Sequence, residues 1–138
     1  MYLLDTNVIS ELRKPKPHGA VLAWYRAQEF DRLFLSAVSF YEMQAGIELT
    51  REQDRKRAEE LEWWLQGLAS QYRIAQFDHR CAMLAARLMH KQSNPLLQDA
   101  MIAATGIVNR LTVVTRNTKD FIRFPVSLLD PFTATPAP

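Results

Sequence analysis

Cysteine is almost missing from this chain of 138 residues: Cys81 is the only one. A lone cysteine excludes an internal disulfide and a thiolate-built zinc site, and it fits a reducing, cytoplasmic setting. Long apolar segments are missing too. The apolar opening, Met1 to Leu4, is too short for a membrane span or a signal peptide. Neither sign of charge dominates: 17 Lys and Arg against 15 Asp and Glu leave a net charge of +2. That balance is compatible with a nucleic-acid partner but does not argue for one. No internal repeat and no lipidation motif is present. What remains, 48% hydrophobic and 23% charged, is the make-up of an ordinary soluble globule, long enough for one domain with its own core. That domain is expected over residues 1–132, with the small, Pro-rich stretch 133–138 as a mobile tail.

The pattern of elements alternates. Met1-Tyr2-Leu3-Leu4 reads as a buried strand running into Asp5-Thr6-Asn7, cap and turn residues. Val8, Ile9 and Leu12 then follow at helical spacing. Arg13-Lys14-Pro15-Lys16-Pro17 is a basic loop, and a helix is predicted through Val21, Leu22, Trp24 and Tyr25. Arg32 to Ser36 is a second strand, with Ser36 or Ser39 capping a helix that turns Phe40, Met43 and Ile47 inward. A long polar helix from about Arg51 to Ser70 carries an apolar stripe at Ala58, Leu61, Trp64, Leu65 and Leu68. Tyr72 to Phe77 is a third strand, and Asp78 caps a helix with Ala82, Ala85, Leu88 and Met89. Ser93-Asn94-Pro95 breaks it, and Leu97 to about Asn109 forms the next. Leu111 to Thr115, β-branched and bounded by polar residues, is a fourth strand. Arg116 to Phe121 is a loop and helical turn, and Val126 to Leu129 a last strand, stopped by Pro131. Strands alternating with helices predict an α/β fold: one parallel sheet flanked by helices on both faces, with right-handed crossovers. Strand order does not follow from this pattern.

In a parallel sheet every strand points the same way, so residues just past the strand ends gather along one edge. Asp5 follows the first strand directly, Glu42 the second by about six residues, and Asp120 the Leu111 strand by five. Asp99 lies early in a helix whose other inward positions, Ile102, Ala103 and Gly106, are small or apolar. Each acid alone has a plainer reading: an N-cap, a solvated helix position, a first-turn acid answering the helix dipole, a surface turn. Together they pose an energetic problem. Two unit charges ~6 Å apart repel by roughly 3 kcal/mol at an effective dielectric near 20. Several such pairs approach about 10 kcal/mol, comparable to the whole stability of a small domain. Such a cluster must be partly protonated or hold a cation. All-oxygen ligands without cysteine or a placed histidine suit Mg²⁺, or Mn²⁺ in its stead. A cation so held in an open crevice is suited to phosphoryl chemistry.

Four blocks carry a resemblance: Leu3-Leu4-Asp5-Thr6-Asn7-Val8-Ile9-Ser10-Glu11-Leu12, Ser36-Ala37-Val38-Ser39-Phe40-Tyr41-Glu42-Met43, Asp99-Ala100-Met101-Ile102-Ala103-Ala104, and Val113-Val114-Thr115-Arg116-Asn117-Thr118-Lys119-Asp120-Phe121. In this order they resemble the signature blocks of PIN-domain proteins, and among those the VapC toxins of VapBC toxin–antitoxin pairs, in their FitB-like branch. The resemblance spans nearly the whole chain. It implies a parallel α/β fold and a Mg²⁺- or Mn²⁺-dependent endoribonuclease. It further implies a cytoplasmic toxin of a type II system, a homodimer, and a VapB-like antitoxin partner. Carried over by motif, Asp5, Glu42, Asp99 and Asp120 match the catalytic, metal-binding acids, with Asp5 and Asp99 as the direct ligands. Thr6, Asn7, Thr115 and Asn117 match the polar positions that shape the pocket. Ser39, Phe40 and Gly106 depart from the common Thr, Leu and Ala, and none of these removes an acid.

Arg13, Lys14, Lys16, Arg116, Lys119 and Arg123 flank the acidic blocks, as a rim for an RNA backbone or as ordinary surface. His18, His79 and His90 are expected to be surface or structural residues, and Cys81 a small buried filler. Trp64 fits the core stripe. Trp63 is expected to be partly buried against a neighbouring helix, or, if exposed, to anchor a partner. Two other functions compete. A phosphotransferase with Asp5 as nucleophile would want a second acid two residues on, where Asn7 stands. A non-catalytic acidic α/β module, binding RNA or protein, would keep its function when the acids are neutralised.

Overall fold

The computed structural model describes residues 1–133; the last five residues of the expected tail, 134–138, lie outside the described residues. Thr133 belongs to the folded part, its Oγ1 donating to the Asp130 carbonyl at 3.3 Å. The elements, in order, are β1 (Tyr2–Leu4), α1 (Thr6–Arg13), α2 (Gly19–Arg26), β2 (Leu33–Ser36), α3 (Ala37–Arg51), α4 (Arg55–Gln71), β3 (Arg73–Ala75), α5 (His79–Met89), α6 (Leu97–Asn109), β4 (Thr112–Val114), α7 (Thr118–Phe121) and β5 (Leu128–Leu129). Single 3-10 turns at Phe30–Arg32 and Asn94–Leu96 join them. No helix among the described residues is long and apolar enough to cross a membrane.

All pairings in the five-stranded sheet are parallel, in the order β3-β2-β1-β4-β5. Adjacent residues of each strand face opposite layers. Leu4, Leu33, Leu35 and Val114 pack with Val8 and Ile9 of α1, Val21 of α2, Met43 and Ile47 of α3, and Ala58, Leu65 and Leu68 of α4. Leu3 and Val113 point the other way, onto Ala100, Ile102 and Ala103 of α6 and Phe121 of α7. Covering on both faces explains why these strands read as continuous apolar runs. Gly106 lets α6 lie close on β4: a Cβ there would stand 3.0 Å from Val113 Cγ2 and 3.3 Å from the Leu111 carbonyl oxygen.

The chain leaves β1 towards β2 and β3, then returns across the sheet to β4. The order therefore reverses between β1 and β4. That reversal opens a crevice beyond the carboxyl ends of these two strands. The Asp5 backbone N–H, donating to the Val114 carbonyl at 2.9 Å, closes the ladder at its lip.

Several expected boundaries shift. The predicted helix from Arg51 to Ser70 is instead the end of α3, a break, and α4 from Arg55 to Gln71. Asp54, which falls within that predicted range, is the N-cap of α4 and accepts from the Arg57 N–H at 3.0 Å. Thr6 and Asn7 already belong to the first turn of α1, capped by Asp5. Ser36, not Ser39, caps α3, accepting from the Val38 N–H at 3.1 Å. The outer strands are shorter than expected, β3 ending at Ala75 and β5 spanning two residues. Ala82 of the α5 stripe is exposed, Cys81 taking its place inside. Trp63 is 79% exposed, so its predicted partial burial is wrong: it projects from the outer face of α4 while Trp64 packs against the core.

Candidate active site

Asp5 is both a helix cap and an acid at the crevice, and one carboxylate performs both tasks. Its Oδ1 accepts from the Thr6 N–H at 2.8 Å, holding the first turn of α1. Its Oδ2 accepts from the Thr115 hydroxyl at 2.8 Å and from Asn7 Nδ2 at 3.2 Å. Thr115 sits one residue past β4, and its hydroxyl oxygen also accepts from Asn7 Nδ2 at 3.2 Å and from the Asn117 N–H at 2.9 Å. Asn7 Oδ1 accepts from the Arg116 N–H at 3.2 Å. Asn117 Nδ2 donates onward to Asp120 Oδ2 at 2.8 Å. A continuous set of hydrogen bonds thus runs from Asp5 through Thr115 and Asn117 to Asp120, across the reversal of strand order. Burial nevertheless raises the Asp5 pKa, against the bonds from Thr115 and Thr6.

The other two acids come from opposite layers. Glu42 enters from α3 and Asp99 from the first turn of α6. Glu42 is pushed up to about 7, first by burial and then by the charges of Asp5 and Asp99. Asp99 is pushed up to about 6, first by burial, then by Asp5 and Asp120, with Arg123 opposing. Thr6 lies beside Glu42 and lowers its pKa, yet neither Thr6 Oγ1 nor Glu42 Oε1 meets a hydrogen-bond partner at good geometry, although both atoms are buried. The structure therefore brings all four predicted acids to one crevice, with Thr6, Asn7, Thr115 and Asn117 among them.

The donor set fits a hard divalent cation. It consists of carboxylate oxygens and hydroxyls, with no thiolate or imidazole, and it contains an orphaned carboxylate oxygen beside acids that repel one another. No three carboxylate, imidazole or thiolate groups among the described residues stand close enough to close around one ion. The acids couple in pairs instead: Asp5 with Glu42, Asp5 with Asp99, Glu42 with Asp99, and Asp99 with Asp120.

The flanking residues divide. Lys14 pairs with buried Glu11, Nζ to Oε1 at 3.0 Å, and the Arg13 guanidinium lies over the Trp64 ring, 5.4 Å from its centroid. Arg123 faces Asp99. Lys16, Arg116 and Lys119 are exposed. His18 is structural: its Nδ1 accepts from the Ala20 N–H at 3.2 Å and caps α2. His79 and His90 are exposed at the ends of α5. Cys81 is fully buried, with Sγ 3.7 Å from the Gln76 carbonyl. Sequence reasoning missed Phe132, whose ring lies against both Arg116 and His18. A single ring near the end of the chain carries no periodic signal.

Comparison with known proteins places these features in context. A family model described as the PIN domain matches residues 2–126. The chain is similar to a VapC ribonuclease, Y4jK, of Sinorhizobium fredii: 37% identity, covering 96% of this chain and 98% of that one. Its fold is similar to the crystal structure of FitAcB from Neisseria gonorrhoeae, with a TM-score of 0.80, 31% identity and coverage of 97% of this chain and 100% of that chain. A toxin–antitoxin complex from Klebsiella pneumoniae is also similar, at a TM-score of 0.65, 26% identity and coverage of 95% and 98%.

Proposed function

The chain belongs to the PIN-domain family, and from that premise we propose that it is the toxin of a type II toxin–antitoxin pair, a Mg²⁺-dependent endoribonuclease acting in the cytoplasm. The observation that carries this reading is the meeting of Asp5, Glu42, Asp99 and Asp120 at the point where strand order reverses, with Glu42 and Asp99 held well above the usual carboxylate range. The names borne by its relatives, a VapC ribonuclease and a toxin–antitoxin complex, support the same function.

Asp5 and Asp99 would hold the cation directly, with Glu42 and Asp120 completing the site. A bound Mg²⁺, or Mn²⁺ in its place, supplies a lowered pKa for a ligated water and neutralises charge developing on the phosphodiester. The chain supplies orientation. Thr6 N–H, Thr115 and Asn7 fix the Asp5 carboxylate in one rotamer, and Asn117 fixes Asp120. Fixed ligands remove the reorganisation that attack on phosphorus would otherwise require. No side chain forms a covalent bond to RNA in this scheme: a water oxygen bonds to phosphorus and the ester oxygen leaves.

The test is cleavage of a mixed RNA panel with Mg²⁺ or Mn²⁺, with an EDTA control and an Asp99→Asn protein purified in parallel. Cleavage by the native chain alone supports the reading; equal behaviour of native chain and variant overturns it for those RNAs. One observation favours the rival, a non-catalytic acidic module: no three acids close round a point. Absence of Mn²⁺ binding in a titration of the native chain would select that rival.

A VapB-like antitoxin and a homodimer complete the proposal. The dimer has a face to bury: an open apolar groove of about 440 Å³ between α3 and α6, lined by Val38, Tyr41, Phe77, Leu97 and Met101. Tyr41 and Leu97 are 68% and 44% exposed there. Light scattering at micromolar concentration is expected to give twice the chain mass, and Leu97→Asp to halve it. A monomeric native chain would refute the dimer.

A further inference from the structure

Six basic residues flank the acids, and two of them, Arg13 and Arg116, lie over aromatic rings; Arg116 is the one next to Thr115. The Arg116 guanidinium carbon stands over the ring of Phe132, 4.5 Å from its centroid. Phe132 rests on His18, with ring centroids 5.3 Å apart and planes tilted by 57°. Each member of this stack is anchored independently. The Arg116 backbone N–H donates to Asn7 Oδ1, which fixes the residue immediately after Thr115. The Phe132 N–H donates to Asp130 Oδ1 at 2.9 Å in a local turn, behind Pro131, which is buried. His18 is locked as the cap of α2. An exposed cation is thereby held in one place at the lip of the crevice, between Thr115, which donates to Asp5, and Asn117, which donates to Asp120. Lys14, in contrast, is paired with Glu11, and Arg13 stacks on Trp64 of α4 rather than beside Thr115.

A guanidinium normally loses considerable side-chain freedom when it grips a phosphate. Stacking on an aromatic face removes part of that freedom beforehand and leaves the planar N–H fork open to a ligand. The basic loop Lys14-Pro15-Lys16-Pro17 runs directly into His18, so positive charge continues along this side of the crevice. We propose that Arg116, positioned by the Phe132–His18 stack, is a phosphate-binding residue for single-stranded RNA, holding a backbone phosphate next to the one that is cut. Phe132 is a positioning residue, acting through Arg116. The assignment rests on the ribonuclease reading of the acidic crevice.

The test is equilibrium binding of a fluorescent single-stranded oligoribonucleotide to the full chain, silenced for cleavage by Asp99→Asn and EDTA, between about 50 and 200 mM salt. Arg116→Ala is expected to weaken binding about five- to tenfold and to reduce the slope of log K against log salt by about 0.7, the share of one phosphate on a single strand. Phe132→Leu keeps the cation and most of the apolar volume; it is expected to weaken binding about two- to threefold with the slope unchanged. Arg116→Lys is expected to restore the slope and only part of the affinity. If Arg116→Ala binds with the parent's affinity and slope, the stack is only a staple for the end of the chain and the assignment is wrong, while the ribonuclease reading stands. If the parent itself shows no salt-dependent binding while the native chain cleaves RNA with Mg²⁺, the assignment is wrong and the ribonuclease reading stands; if the native chain does not cleave either, both fall together.

Discussion

The two halves of the acidic crevice are built to different standards. On the β1–β4 side, Asp5 is buried, yet both of its oxygens have partners, and the bonds continue through Thr115 and Asn117 to Asp120. On the α3–α6 side, Glu42 and Asp99 stand half-buried and mutually repelled, and one Glu42 oxygen has no partner at all. The first half is a finished piece of protein structure. The second is left with an unmet need for positive charge, and it lies on the two helices that join from opposite layers. Buried polar groups in folded proteins are nearly always satisfied. An orphaned carboxylate oxygen beside two other acids, Asp5 and Asp99, is therefore the place where a cation has most to offer.

The largest effect separating the halves is on cleavage. Asp99→Asn, on the unsatisfied side, is expected to lower the rate of RNA cleavage by roughly 10²- to 10³-fold, the loss typical of removing one preorganised polar group from a site. The same variant is expected to gain about 1 kcal/mol of stability without divalent cation, because it removes a charge that its neighbours repel. Single-turnover kinetics and denaturant melts in EDTA check the two arms. A less stable Asp99→Asn protein would break the contrast.

Thr115→Val attacks the finished side. It leaves the Asp5 carboxylate and Asn117 N–H without their common partner, at a cost of about 1–3 kcal/mol. Thr115→Ser keeps the hydroxyl and is expected to recover most of that loss in urea denaturation. Equal stability of the Val and Ser variants would mean that the hydrogen bonds carry no weight.

The pH dependence sharpens the comparison further. Glu42 and Asp99 have folded pKa values raised to about 7 and about 6, so between their unfolded values and these the folded chain binds more protons than the unfolded one. Stability therefore falls as pH rises through that window. Denaturant midpoints in EDTA are expected to be higher at pH 5.5 than at pH 8, by about 1–2 kcal/mol after allowing for the solvent that reaches both carboxyls. Mg²⁺ is expected to narrow the gap by stabilising the chain at pH 8. A gap that Mg²⁺ leaves unchanged would count against cation binding at this side. The smallest effect is at Ser39, whose hydroxyl is fully buried without a partner. Ser39→Ala is expected to be neutral or to stabilise by less than about 1 kcal/mol, read from the same melts; a clear loss would mean that this hydroxyl has a partner in solution.

Much of this was legible in the sequence for one reason: a parallel sheet sends every strand end to the same edge. An apolar run followed by an acid, at Leu4–Asp5, already carries positional information. Glu42 and Asp99 were placed by their distance past a strand and their position in a helix. The hydrogen bonds among Asn7, Thr115 and Asn117 were not derivable, since they depend on β1 and β4 being neighbours, and strand order is decided by how the crossovers pack. The α3–α4 break was hidden because Arg51 to Arg57 are polar throughout, with no Gly or Pro to mark an end, and only the cap geometry of Asp54 reveals it. Trp63 misled because large rings are usually buried, whereas its neighbour Trp64 takes the inward position on α4. Phe132 acts through one contact on either side, and no pattern announces that.

The bond between Asp5 and Thr115 joins residues 110 positions apart. At synthesis rates of about 5–20 residues per second, roughly 5 to 20 seconds separate the making of the two. Throughout that interval the growing chain carries Asp5 and Glu42 but not the strand that closes the crevice. The crevice is thereby left open until the sheet can be completed, and a chain released early, short of β4, would lack its Thr115 and Asp120 side altogether.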